Sequence, residues 1–455
     1  MTELTAKHTL RRELGLVQAT ALAVTDMIGI GPFITIPLFL GTMGGPQAMI
    51  GWLLGAVLAF CDGLVWAELG AAMPKAGGSY NYLREAFGPA KAGRWFSFIV
   101  VWQVIFSAPL SVASGSIGFA NYFHYLVPTL PDWSIRIFAS LIPLVLILVL
   151  YRRIREVGNL SVILLVGVLA GCLWIVGSGL PHLSAGRIFD FPPNAFRLDF
   201  TFWVGLGAAT LFAMYDYFGY YNVCYLAEEI REPARVIPRA MLFSILLVAA
   251  LYILMNLSIL SVVPWQEVQG NKFIASTYIE TLQGLGAGNL MTLLMLWIAF
   301  SSVLSVLLGY TRIPYAAAVD GNFFGAFARL HPKGDFPYVS LITLGLLASA
   351  FSLLKLPEVI GSLVAIRVSS QYLPQAIGFF VLRFRRPDMP RPFRMWLYPL
   401  PGIAIIGGWI YILATSKPRA LLLALAVFFG GSVAFFVRAR LRREWPFAGK
   451  SQKVD

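Results

Sequence analysis

Four ionisable residues stand inside stretches that are otherwise apolar: Asp26, Asp62, Asp216 and Arg367. A charge at the centre of a lipid bilayer costs at least about 2.5–3.5 kcal/mol, so such a residue faces a cavity or a partner and is a candidate for function. Asp26 lies about one helical turn before a Gly29-Ile30-Gly31-Pro32 string, and Asp216 lies inside Tyr215-Asp216-Tyr217-Phe218-Gly219. If these two stretches meet, two acids share one site and cannot both ionise cheaply. Three kinds of chemistry follow. One acid takes up and releases a proton; one or both recognise a cationic solute; or they are structural, paired with Arg367 or bonded to unwound backbone. Asp62, alone in its stretch, is expected to be structural. Glu68, Glu228 and Glu229 sit near the ends of apolar stretches and are expected to be solvated or paired with loop arginines, and His124 to be interfacial.

The elements that must position these residues are membrane spans. The chain has 455 residues, is 58% hydrophobic and only 13% charged. A span needs about 20 mostly apolar residues. Such runs are expected at 15–40, 46–73, 93–126, 132–151, 157–178, 201–230, 235–263, 288–318, 336–354, 357–385, 396–416 and 418–440, about twelve in all. The run ending at Leu354 is short and is interrupted by Lys355. Two spans carry internal breaks. Pro32 lacks an N–H and crowds the preceding turn, yet suits the start of a new helix, so the first span is expected to unwind at Gly29–Gly31 and restart at Pro32. The sixth is expected to break around Asp216–Gly219. Unwound backbone at that depth is tolerated only where it lines a cavity or is buried in protein. Interrupted helices at matching places in two halves point to an inverted-repeat transporter with its site at the breaks.

The net charge of +13 could suggest a nucleic-acid partner, but its distribution argues otherwise. Of 35 lysines and arginines, only Arg136, Arg187, Arg197, Lys272, Lys355, Lys417 and Arg419 fall in the outer set of loops, and Arg367 lies within a span. The rest fall in the tails and the alternate loops. This bias is the positive-inside pattern and predicts both termini in the cytoplasm. The polar first 14 residues followed by a full-length apolar run predict no cleavable signal peptide. Cys61, Cys172 and Cys224 lie in apolar segments and read as core residues, with no metal or disulfide spacing. No phosphate-binding Gly-x-x-x-x-Gly-Lys motif occurs, so ATP is not the expected energy source. No His cluster or Ser–His pairing suggests an enzyme, and no cofactor is expected. Loops 179–200 and 264–287 are candidate gating elements, and Asn81–Phe87 is expected to form a short interfacial helix.

Four stretches carry a resemblance to the amino acid–polyamine–organocation superfamily, whose members share the LeuT-like fold. They are Gly29–Phe33; Ala67-Glu68-Leu69-Gly70 through Met73-Pro74-Lys75-Ala76-Gly77-Gly78-Ser79-Tyr80, with Tyr82 and Phe87-Gly88-Pro89; Glu228–Pro233 closing with Ile237-Pro238-Arg239-Ala240; and Arg312 with Tyr315–Gly321. Arg386–Phe393 adds to them. The likeness runs over nearly the whole chain.

The resemblance implies an all-α integral membrane protein: a core of two inverted five-helix repeats (15–178 and 201–385) and two peripheral helices (396–440), with tails 1–14 and 441–455 in the cytoplasm. It implies alternating access in a cell membrane. The substrate carboxylate would meet the amides of Gly29, Ile30 and Gly31 at a half-helix N-terminus, where partial positive charge and unpaired donors favour anions. The ammonium would meet the carbonyls of Met27, Tyr215 and Phe218, with Tyr215 as an aromatic gate. Some relatives carry a span-5 lysine in place of sodium; the matching position here is Val168. Ser301 and Ser302 lie near where sodium-using relatives place hydroxyl ligands. The expected activity is secondary-active amino acid transport, proton-coupled or exchanging. The rivals are a polyamine or organic-cation transporter and a passive channel.

Overall fold

The computed structural model describes residues 12–447 apart from 153, 272, 333 and 354–358. The expected tails lie mostly outside the described residues, as does Lys355. The described chain is helical, and its one β-type contact is an isolated bridge between Leu14 and Ile230. In order the helices are α1 Leu16–Met27, α2 Gly31–Met43, α3 Met49–Ala72, α4 Ser79–Phe87, α5 Ala92–Leu126, α6 Asp132–Leu150, α7 Ile154–Gly179, α8 Ala185–Ile188, α9 Phe200–Tyr217 and α10 Asn222–Tyr225. There follow α11 Pro233–Val262, α12 Trp265–Val268, α13 Ile274–Gln283, α14 Leu285–Tyr310, α15 Arg312–Val319, α16 Tyr338–Phe351, α17 Val359–Arg367, α18 Leu373–Arg385, α19 Leu400–Ala414 and α20 Pro418–Arg442.

Seven helical stretches among the described residues are long and apolar enough to cross a membrane, and the bent pair α1–α2 makes an eighth. The remaining expected spans coincide with shorter or interrupted helices. Helices α16 and α19 are apolar but short. Helix α9 stops at Tyr217 and resumes as the single turn α10. Helices α17 and α18 are joined through a π-helical turn, Val368–Tyr372, directly after Arg367; π turns of this kind recur at functional sites.

Broken helix α1 packs against α7, α11 and α14, while α3 lies against α9 and α11, and α5 against α14. Small residues permit the close crossings: a Cβ on Gly51 or Gly55 of α3 would lie 2.5 or 2.7 Å from Ala209 or Ala213 of α9. This is how helices associate where lipid offers no hydrophobic drive. Helix α4 starts two residues before its expected first residue, because Gly77 and Gly78 take positive φ (95° and 48°) and turn the chain into it.

At the end of the molecule that carries Leu14, buried charges are paired. The amides of Glu13 and Leu14 each donate to the Glu229 carbonyl at 2.9 Å, and Arg231 N–H returns a bond to Leu14. Arg312 donates to both Glu229 carboxylate oxygens (2.7 and 3.0 Å), both side chains being buried. Glu68 accepts from Arg383 and from the Met395 amide, and Arg391 lies 3.3 Å away. Of the three glutamates expected near helix ends, two are therefore locked in buried pairs. Removing one partner of a buried pair strands the other charge and costs about 3–5 kcal/mol. Glu229→Gln is expected to lower the melting temperature of the purified protein sharply, and Glu229→Gln with Arg312→Gln to recover part of the loss. Equal melting temperatures for wild type and the single variant would show that the pair contributes nothing to stability.

Candidate functional site

Helix α1 ends at Met27, and α2 begins at Gly31 with Pro32 in its first turn; the two axes diverge by 42°. Gly29 N–H turns back to the Met27 carbonyl at 3.1 Å. Among the described residues, the amides of Ile30, Gly31 and Phe33 find no backbone acceptor. The free donors are thus Ile30, Gly31 and Phe33, and Gly29, expected among them, has its amide engaged. The restart falls at Gly31, one residue earlier than expected, because Pro32 can sit in a first helical turn without losing a bond.

The second break spans Phe218–Tyr221, between α9 and α10. Gly219 has φ +130°, and a Cβ there would lie 2.7 Å from the Met27 nitrogen and 2.9 Å from the Asp26 carbonyl carbon. The two breaks are therefore in backbone contact, with only a glycine hydrogen between them. Tyr252 of α11 fastens both, its hydroxyl donating to the Met27 carbonyl (2.7 Å) and the Asp216 carbonyl (3.3 Å).

Between the breaks is a cavity of about 70 Å³. Its wall includes Asp26, Met27, Gly29, Ile30, Gly31, Tyr215, Asp216, Phe218, Ser302 and Arg367. Every residue expected at the substrate site or as a charged partner is in that wall. The serine pair divides. Ser302 lines the cavity and donates to the Asp26 carbonyl at 3.3 Å, whereas Ser301 donates to Trp297 of its own helix at 2.7 Å.

The charged side chains are held separately. Asp216 accepts a hydrogen bond from Thr35 on α2 through Oδ2, while its buried Oδ1 has no partner among the described residues. That free oxygen lies beside Gly31, 2.5 Å from where a Cβ would be. Arg367 donates to Ser111 Oγ at 2.5 Å and lies over the Tyr310 ring at 5.1 Å. Among the described residues no salt bridge within 4.0 Å joins Arg367 to Asp26 or Asp216. The expected ion pair is absent because Arg367 faces α5 and Tyr310, and Asp216 faces α2. Asp62 accepts from Trp66 Nε1 (2.9 Å) and Tyr220 hydroxyl (2.6 Å), tying α3 to the second break. Thr35, Ser111, Ser114, Tyr221 and Tyr310 complete the surroundings. Three of these had a signal: Ser111 and Ser114, with Gly115, recur at helical spacing on one face of a span, and Thr35 follows Gly31 by one turn.

A larger cavity, about 380 Å³, shares no wall residue with the first. It lies where α4, α15 and the segment after α18 converge, lined by Lys75, Arg84, Glu228, Asp320 and Arg386 among others. Glu228 is half-buried there.

A multi-pass helical membrane protein whose polar cavity lies at two helix breaks is a solute transporter by architecture. The sequence pattern described as "Amino acid permease" matches residues 14–446, and the chain belongs to that family. It is 29% identical over 445 residues to the large neutral amino acids transporter small subunit 2 of Mus musculus, covering 94% of this chain and 81% of the relative. It is 25% identical over 435 residues to the branched-chain amino acid permease BcaP of Bacillus subtilis (89% and 90%). To the Asc-type amino acid transporter 1 of Homo sapiens it is 27% identical over 447 residues (94% and 82%). The chain's activity is the transport of amino acids across a membrane.

Proposed function

We propose that the chain is a secondary-active amino acid transporter of the cell membrane that works by alternating access, with its substrate held between the two helix breaks. The observation that carries this reading is the backbone contact of Gly219 with Met27 beside a polar cavity. On this reading the architecture is LeuT-like: about twelve spans, the short and interrupted helices included, in two inverted repeats (15–178, 201–385) with peripheral helices over 396–440. Both termini are cytoplasmic, as the loop charges require, so the Leu14 end is the inner end. The substrate carboxylate takes the free amides of Ile30, Gly31 and Phe33 at the start of α2, where the helix dipole favours an anion. The ammonium takes carbonyls of the breaks, Phe218 foremost, because the Met27 carbonyl already accepts from Gly29 N–H and the Tyr252 hydroxyl. Tyr215, whose hydroxyl is 3.3 Å from that of Ser114, closes over the cavity from α9.

Asp216 is the coupling acid. Its free oxygen stands beside Gly31, at the place a substrate carboxylate would occupy. Two unit charges 4 Å apart interact by about 4 kcal/mol at an effective dielectric constant of 20. A protonated Asp216 removes that repulsion, so proton and amino acid favour each other's binding, which is what coupling requires.

The test is accumulation in proteoliposomes, with an amino acid panel and putrescine as solutes and an inward proton gradient. Amino acids are expected to accumulate above the bath concentration in sodium-free buffer, and a protonophore to abolish the accumulation. Equilibration without accumulation would mark a channel, and uptake of putrescine alone a polyamine carrier.

A further inference from the structure

Among the described residues, the cavity holds a cation with no carboxylate oxygen within 4.0 Å, although Asp26 and Asp216 share its wall. Arg367 is only 4% exposed, at the end of α17 where the helix turns into its π segment. Its Nη2 donates to Ser111 Oγ and, at 3.5 Å, to the Ser107 carbonyl. Its Nε is buried and has no partner among the described residues. Its nearest ring neighbours, Tyr310 and Phe218, offer π faces at 5.1 and 6.0 Å. Hydroxyls and rings solvate a guanidinium but do not balance its charge. An unpaired cation buried in a membrane protein is costly and is found where a substrate or ion completes the site.

Resting on the reading of this cavity as the amino acid site, we propose that Arg367 is the receptor for the side-chain carboxylate of the substrate, and that the protein transports acidic amino acids, aspartate or glutamate. Each charged group of such a substrate then has a partner in the wall. An acidic amino acid brings two carboxylates and one ammonium. The cavity wall supplies the free amides at the start of α2 for the first carboxylate, the Arg367 guanidinium for the second, and break carbonyls for the ammonium. A guanidinium presents paired donors in a planar fork that fits a carboxylate, which a hydroxyl-lined wall does not. A neutral side chain would leave Arg367 Nε without an acceptor and the guanidinium without a counter-charge, and a site built to hydrogen-bond a group discriminates strongly against analogues that lack it. Two of the relatives named above carry neutral or branched-chain amino acids in their names, so an acidic substrate would set this chain apart from them.

The experiment compares two isosteric probes. Equilibrium competition by L-glutamate and L-glutamine is measured on purified full-length protein in nanodiscs, against whichever amino acid of the panel binds. Wild type is expected to favour glutamate by about tenfold or more, the scale of one charge-assisted bidentate contact. Arg367→Gln is expected to bring the ratio to about one, and Arg367→Lys to give an intermediate ratio, because lysine keeps the charge but loses the fork. A wild type that binds glutamine as well as glutamate overturns the proposal, and that measurement needs no variant to fold. So does an Arg367→Gln protein that folds and keeps the wild-type ratio. Neutral amino acids bound and glutamate refused would sink the acidic subsite while leaving the transporter reading intact; a protein that binds no amino acid would sink both.

Discussion

Valine in place of Gly31 is expected to reduce amino acid uptake by about 100-fold or more while the protein still folds and inserts. A Cβ at this position lies 2.5 Å from Asp216 Oδ1 and 3.5 Å from Tyr215 Cε1, so the added atoms enter the space between the α2 N-terminus and α9. Overpacking a close-packed contact costs about 1–3 kcal/mol, and here the strain falls on the substrate's own volume, so it appears as lost binding. At about 1.4 kcal/mol per factor of ten, that range alone reaches roughly 100-fold, and blocked amides at Ile30 and Gly31 add to it. The folding term is smaller, because the first atom met is the end of a side chain. Gly29→Val is expected to abolish uptake too, with a larger stability loss: its Cβ would meet Ser302 Cβ at 2.9 Å, so α14 itself would have to shift. Neither glycine is needed for a positive φ, unlike Gly219. Uptake by Gly31→Val within a few-fold of wild type, at equal surface expression, would remove the first break from the mechanism.

The chemistry of this site was legible where one-dimensional signals exist. Gly-Ile-Gly-Pro cannot continue a helix, and an aspartate flanked by tyrosines and Gly219 in an apolar run cannot be ordinary core. Those two signals lie at a cavity whose wall holds Gly29, Ile30, Gly31, Pro32, Tyr215 and Asp216 but not Tyr217 or Gly219. The partnerships were not legible, since they depend on side-chain direction across helices distant in sequence. Asp216 and Arg367 are the two opposite charges a reader would pair, yet each faces a different helix, α2 and α5. Glu229, expected to be solvated or paired with a loop arginine, pairs with Arg312 as one of those alternatives had it, but the sequence did not show that the pair is buried. The count of uninterrupted apolar helices falls below the about twelve expected spans for a related reason. Hydropathy presumes continuous helices, but α9, α17 and α18 are cut where they serve the cavity or the π turn, so length and apolarity register seven or eight crossings among the described residues. Features that break the local rules of helix formation are concentrated at the site, where the rest of the fold compensates them.

Asp216→Asn is expected to separate transport from energy coupling. Asparagine keeps the shape of a protonated aspartate and still offers Thr35 an acceptor, so the contact between α9 and α2 survives. It removes the negative charge that stands beside Gly31. If that charge must be quenched by a proton before a substrate carboxylate can bind, the variant is permanently in the receptive form. Amino acid exchange across the membrane should continue at rates near wild type. Accumulation driven by a proton gradient should fall to the equilibrium level, because no group titrates as the cycle turns. The affinity measured in alkaline buffer should rise relative to wild type, because only the wild type must first take up a proton. The sign is decisive: an acid that served to hold a cationic solute would lose affinity on the same change, and selectivity would drift toward neutral amino acids. A purely structural acid would show its loss as a lower melting temperature with exchange and accumulation reduced together. Exchange, accumulation and melting temperature measured on one preparation distinguish these results. Wild-type accumulation that persists after the proton gradient is collapsed would exclude Asp216 as the coupling acid, whatever the variant does.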